Sequence, residues 1–399
     1  MRAAQILQQT ITRFLASVHA TRLAAVFWAV RSLLTGGKLY LTALGRSGAG
    51  RTAPKYAIKR ADRLLGNKKL HQQTSVFFKT LALLLIGGRP RPVVLIDWTK
   101  IEPKHLAVVA AVPLDGRSLP ILIEVHHEKM DNNPKVLKRF LRRLADILPP
   151  RCRPIIVTDA GFKNTWFTEV VARKWDFVGR VRHNALARSL VDTAWIPVRG
   201  LYQRATTRAK DLGRWVLARA NPRALRLVVI KKHTLRADSK LQGSAKKQKA
   251  IRRAWEPWLL ATSLDDVTAK RVVRIYARRM QIEETFRDAK NHRFGWSFGL
   301  ARSASAKRLE VLLLIAALGM FAVTLLGHAA EKRGLHRRHQ ANTIRNRRVL
   351  SLFYLGCAVI RRPDDLVLSV GDLRASLEEV REKLPCLDPS VRSFFVGIP

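Results

Sequence analysis

Three apolar runs of strand length follow one another with only short polar connections between them: Val93 to Ile96, Leu106 to Val112 and Leu119 to Val125. That spacing predicts an antiparallel meander. A helical pattern from about Pro134 to Leu148 comes next, then a buried-type strand at Pro154 to Val157, a helix near Thr165 to Lys174 and a strand at Phe177 to Val181. The resulting order, βββαβαβ, predicts an α/β fold in which helices flank a mixed sheet.

Around this block the pattern changes. Residues 1 to about 88 read as helices, with apolar clusters at Ile6, Phe14, Leu15 and Leu23 to Val30 and a glycine-rich turn region at Gly36, Gly45, Gly48 and Gly50. In KYAIKRADRLLGN, Lys55, Lys59 and Arg63 recur at helical spacing beside Tyr56, Ile58, Ala61, Leu64 and Leu65, which would form the packed side. From Asn184 to Leu264 the chain leans towards β structure and holds a basic tract, Lys231 to Arg253, with Asp238 as its one acid. That tract reads equally as a solvated loop. From Val267 the chain is helical. Val311 to Ala330 carries no charge and is long enough to span a bilayer, but Gly319, Thr324, Gly327 and His328 dilute it, and a buried core helix is the preferred reading.

The 399 residues hold 74 Lys and Arg against 29 Asp and Glu, a formal charge of +45, so a polyanionic partner is expected. Nucleic acid leads. An anionic membrane surface would satisfy the charge but not the carboxylates set within so basic a chain. Cys152, Cys357 and Cys386 are odd in number and widely spaced, as small core residues of a reducing cytoplasm would be. No apolar leader opens the chain, so export is not expected.

Asp97 directly follows the run VVLI and Asp159 follows IIVT, which predicts two acids at strand ends that converge if those strands are neighbours. An acid at a strand end is also a common turn-former. The third element is YARRMQIEETFRDAK. At about 100° per residue, Tyr276, Arg279, Glu283 and Lys290 fall within roughly 60° of one another on a helix, with Arg287 on the same face and Glu284 rotated away. Ile275, Ile282, Phe286 and Ala289 form the docking stripe beside them. An ion-paired surface helix would give a similar pattern. Three carboxylates without a Cys/His set suit Mg²⁺, or Mn²⁺ in its place, and two such ions about 3.5–4 Å apart assist in-line displacement at phosphorus. Arg279 and Lys290 suit flanking phosphates, and Tyr276 offers an aromatic face to a base taken out of the duplex.

These residues resemble the DDE transposases of the insertion-sequence-four family, closest to the Tn-ten type. The resemblance rests on VVLIDWT, IIVTDAGF and the Y-(2)-R-(3)-E-(6)-K spacing, and runs from about Leu39 to Leu355 through IKRADRLLGN, EPWLLAT and QANTIRNRRVLS. It implies a ribonuclease-H-like core, 89–183 and 265–330, interrupted by a β-rich insertion at 184–264. A helical DNA-binding domain at 1–88 and a helical C-terminal region at 331–399 would complete the chain. It also implies cut-and-paste chemistry through hairpin ends. Asp97, Asp159 and Glu283 would then hold the metal ions, with Tyr276, Arg279 and Lys290 on the transposon end and Trp258 stacked on a flipped base. Double-stranded DNA, as terminal inverted repeats and as target, is the expected partner of a homodimeric end complex, in a cytoplasmic protein with no membrane partner. A ribonuclease-H-like nuclease that cuts without joining is the alternative, and a non-catalytic basic coat protein is a further one.

Overall fold

The structure is a computed structural model that describes all residues except 1–7, 10, 13, 183–184, 232–255, 294, 304, 342, 363–368 and 388–399. Apart from Lys231, the basic tract of the sequence reading lies outside the described residues.

Between Ala20 and Ile86 lie the helices α1 (Ala20–Gly36), α2 (Leu41–Ser47), α3 (Pro54–Leu65) and α4 (Lys68–Ile86). Pro54 pre-sets the first turn of α3, and the Asn67 side chain caps α4 by accepting the Leu70 N–H at 2.9 Å. Of the expected turn region, Gly48 and Gly50 lie in the turn after α2, while Gly36 ends α1 and Gly45 is helical. Gly45 lies inside α2, where a Cβ would come within 2.6 Å of the Ile58 Cα, so the glycine serves the close approach of α2 to α3. Tyr56 also departs from its assignment to the packed side of α3, being 54% exposed.

The meander follows as β1 (Val93–Glu102), β2 (His105–Leu114) and β3 (Arg117–His127), paired antiparallel in sequence. Asp115 and Gly116, both at positive φ, form the two-residue turn between β2 and β3. Next come α5 (Pro134–Ile147), β4 (Ile155–Thr158), α6 (Asn164–Val171) and β5 (Asp176–Val181), so the predicted order holds. The strands β6 (Leu186–Ser189), β7 (Ile196–Pro197), β8 (Lys210–Leu217), β9 (Arg223–Ile230) and β10 (Trp258–Thr262) then precede the helices α7 (Ala269–Ala277), α8 (Met280–Lys290), α9 (Ala306–Lys332), α10 (His336–His339), α11 (Leu352–Arg361) and α12 (Val370–Glu382).

The chain forms two compact units. The first comprises Met1–Asp131, Arg142–Cys152 and Met280–Pro399. Its strands run in the order β3-β2-β1, and α9 packs on β3 and against α1, α4, α11 and α12. The apolar window of α9 is buried throughout, which makes it a core helix by placement as well as by preference. Its glycines have a structural reason: a Cβ on Gly327 would meet the Leu352 carbonyl oxygen at 2.0 Å, and one on Gly356 the Val323 carbonyl oxygen at 1.9 Å. Each glycine admits the backbone of the other helix segment.

The second unit comprises Asn132–Leu141 and Arg153–Arg279. Its strands run β4-β5-β10-β9-β8-β6-β7, with β4 and β5 parallel and the others paired antiparallel. The β-rich segment after residue 184 therefore extends the sheet that begins with β4 and β5. Helix α7 packs on that sheet at β4, β5, β8 and β9. Among the described residues the three cysteines are free thiols, and burial pushes those of Cys152 and Cys357 up to about 12.

Candidate active site

In the first unit the site elements are β1 and α8. Asp97 does not end its strand, as the sequence suggested. It stands within β1, in register with Val109 of β2, because the strand continues to Glu102. One of its oxygens, Oδ1, accepts the N–H of Trp98 at 2.9 Å. Two residues on, Thr99 Oγ1 accepts a hydrogen bond from Lys290 Nζ at 2.6 Å. Burial holds the Lys290 ammonium below its ordinary range, while the charge of Asp97 works the other way. Lys290 is thus tied to the strand that carries the first acid.

Glu283 lies in the first turn of α8, where the helix dipole favours a carboxylate. Ile282 and Ala289 of the expected docking stripe are buried, Phe286 is half-buried, and Thr285 joins them. Glu284 pairs with Arg287 at 2.8 Å and with Arg117 at 3.8 Å. Arg287, four residues after Glu283 on the same helix, is exposed and pairs with Glu284. Arg117 also grips Asp288, Nε to Oδ2 at 2.6 Å, and Thr285 Oγ1 accepts the Ser118 backbone N–H at 2.8 Å. Burial raises the Asp288 carboxyl above the ordinary carboxylate range, against the pull of Arg117.

In the second unit Asp159 directly follows β4, as expected, and its Oδ1 accepts the Gly161 N–H at 2.8 Å. It opens onto a cavity of ≈ 580 Å³ whose polar lining includes Lys163, Asn164, Arg180 and Arg182. Tyr276 is buried, at 3% exposure, on α7, and its hydroxyl is hydrogen-bonded by Arg279. Burial raises the phenol above its ordinary range, with Arg279 and Arg180 opposing and Asp159 adding to the shift. Trp258 of β10, 8% exposed, meets the Tyr276 ring edge-on at 4.8 Å between centroids. An aromatic face open to an extruded base is therefore not what Tyr276 presents here.

The structure breaks the predicted helix. Between α7 and α8, Arg278 and Arg279 form a turn in which the Arg279 N–H bonds the Tyr276 carbonyl, three residues back rather than four. Tyr276 and Arg279 belong to the second unit, Glu283 and Lys290 to the first. Four residues that a continuous helix would stack on one face are divided by that turn. Among the described residues no group of three or more His, Cys, Asp or Glu side chains is gathered to hold a metal ion.

Arg117, Thr99, Arg180 and Arg182 went unnoticed in the sequence. Arg180 and Arg182 had a signal: two arginines two apart on a strand share one face, and GRVR follows the second acid by one helix. Arg117 and Thr99 had none, since their partners lie 171 and 191 residues away.

With this geometry in view, residues 88–320 match the family model described as "Transposase DDE domain". The chain belongs to the transposase DDE domain family. As a member it is a DNA-acting transposase, and DNA is its substrate. A search of curated proteins gave no match. Lys55, Lys59 and Arg63 all lie exposed on α3, away from any burial that would spend their charge inside the fold.

Proposed function

We propose that this transposase acts by metal-dependent cut-and-paste transposition through hairpin ends, as a Tn-ten-type member of the insertion-sequence-four group. Asp97, Asp159 and Glu283 are its reactive carboxylates. The observation that carries the reading is the placement of the signature residues on elements that leave each acid only partly covered. Asp97 sits within β1 beside Lys290, Asp159 at the end of β4 on an open cavity, and Glu283 in the first turn of α8.

The donor set suits a hard divalent cation, because all three groups offer carboxylate oxygen and none is sulfur or imidazole. Mg²⁺ ions, two in number, held by these three carboxylates would activate the attacking oxygen and stabilise the leaving one. Asp97 and Glu283 would contribute their carboxylates from one compact unit and Asp159 from the other. Lys290 and Arg279 would exchange their present partners, Thr99 and Tyr276, for phosphate oxygens of the transposon end. Trp258 would leave Tyr276 to stack on the flipped base. Arg180 and Arg182, beside Asp159, would add cationic donors in a cavity of the size that accepts a nucleotide. The ribonuclease-H-like core with its β-rich insertion, the helical N-terminal DNA-binding domain and the dimeric end complex belong to the same proposal. So does a cytoplasmic location without a membrane partner.

The test supplies precleaved transposon ends bearing a free 3′-OH, Mg²⁺ and a target plasmid. Joined product is expected. Cleavage of uncut ends with no joining under the same conditions would make the protein a plain nuclease and overturn the proposal.

A further inference from the structure

Helix α8 is fastened to the strands of its own unit at three places. Thr285, 4% exposed, accepts the Ser118 N–H at 2.8 Å and donates to the Ser118 carbonyl at 3.1 Å or to that of Gln281 at 2.9 Å. Asp288 receives Arg117 through both oxygens, Nε to Oδ2 at 2.6 Å and Nη2 to Oδ1 at 3.4 Å. Lys290 reaches Thr99 of β1. Arg117 and Ser118 are the first two residues of β3, immediately after the tight Asp115-Gly116 turn, so the guanidinium projects from a rigid corner of the sheet. The same guanidinium faces Glu284, the direct neighbour of Glu283.

We propose that Arg117 is a positioning residue for the reaction, acting through Asp288 to fix the rotation and depth of α8 and thereby the direction in which Glu283 leaves the helix. This rests on the reading of Glu283 as a reactive acid. A two-pronged Arg–carboxylate contact specifies orientation as well as distance, which a single lysine contact does not. Metal ligands depend on such supporting contacts, whose loss costs about 10–100-fold in metal affinity or activity. The placement of the fasteners supports the role: residues 285 and 288 lie on the sheet-facing side of a helix whose first turn carries Glu283. A slack helix would still fold against the sheet through Ile282 and Ala289, but with its acid misdirected.

The experiment compares wild type with Arg117→Ala, Arg117→Lys, Asp288→Asn and Glu283→Gln, each checked for folding by circular dichroism. The readouts are single-turnover cleavage at saturating DNA across a Mg²⁺ titration and, separately, the affinity for end DNA. Arg117→Ala and Asp288→Asn are each expected to slow cleavage by about 10–100-fold and to raise the Mg²⁺ needed for half-activation. DNA affinity is expected to stay within about twofold, and a protein carrying both Arg117→Ala and Asp288→Asn to lose no more than the worse single variant, as for two members of one contact. Arg117→Lys is expected to recover part of the rate. Asp288→Asn keeps the shape of the side chain, so it tests the contact even if Arg117→Ala fails to fold. Wild-type cleavage and Mg²⁺ dependence in Asp288→Asn, or a loss confined to DNA affinity, overturn the proposal. If Glu283→Gln is inactive in that same experiment, the parent reading survives; if Glu283→Gln cleaves normally, the parent reading falls with it.

Discussion

Lys290 donates a hydrogen bond from Nζ to Thr99 Oγ1 at 2.6 Å, and the charge of Asp97, two residues before Thr99, sustains its protonation against burial. The first acid and the last residue of the signature therefore share one electrostatic environment inside a single compact unit. Replacing Asp97 by Asn removes the group that raises the Lys290 pKa and leaves desolvation unopposed by it, so the value should fall further below the ordinary lysine range. The pH dependence of amine modification at Lys290, followed by mass spectrometry, reports the change. A Lys290 that titrates identically in both proteins would show that the two groups do not communicate.

The exposed face of α3 carries Lys55, Lys59 and Arg63. If these contact the phosphates of an end duplex, each one removed should lower the slope of log affinity against log salt by about 0.9. Lys59→Ala is expected to bind more weakly at low salt and to converge on wild type as salt rises. An unaltered slope in a fluorescence-anisotropy titration would exclude a phosphate contact at that position.

At the crossing of α9 and α11, Gly327 and Gly356 each face a carbonyl oxygen of the opposing segment, Leu352 and Val323, at distances no Cβ can occupy. Gly356→Ala must push the helices apart within a fully packed layer, at a cost of about 1–3 kcal/mol. Urea denaturation should show a lower midpoint with an unchanged slope. An unshifted midpoint would mean that the crossing yields easily.

His328, 1% exposed on α9, receives a hydrogen bond from Lys383 Nζ at 3.0 Å and lies 3.7 Å from Glu379 of α12. Burial first, and then Lys383, lower its pKa from 6.5, with Glu379 and Glu331 opposing. An unfolded imidazole takes up a proton near its ordinary pKa, whereas the folded one resists until lower pH. The stabilisation is therefore complete above about pH 6.5 and is lost as pH falls through the folded pKa. His328→Gln should flatten the decline in stability below about pH 6.5 relative to wild type. Parallel pH profiles for the two proteins would rule out this histidine as the source.

Much of the fold was readable because it is written locally. The alternating and continuous apolar runs that become β1 to β5, and the caps at Pro54 and Asn67, depend on neighbours in sequence. Three features were not readable for the opposite reason. Asp97 lies inside β1 rather than at its end because β2 continues to pair with the polar half of the strand, a long-range effect that no apolar count reports. The turn at Arg278 and Arg279 interrupts a sequence of sound helix formers: Tyr276 packs against Trp258 in one unit while Ile282 and Ala289 are buried in the other. The sheet continues from β5 into β10 and on to β9 through pairings whose partners lie tens of residues away. The site shares this division. Asp97 and Asp159 are proposed from their places after apolar runs and Glu283 from helical spacing, whereas the Arg117–Asp288 contact exists only once the chain has folded.

The measurement that bears most directly on the reactive trio is a strand-joining assay. Precleaved transposon ends, Mg²⁺ and target plasmid are incubated with wild type, Asp97→Asn, Asp159→Asn and Glu283→Gln, with end binding measured in parallel. Joined product is expected from wild type alone, with all four proteins binding the ends. Joined product at the wild-type level from any one of the three variants would remove that residue from the centre of the reaction.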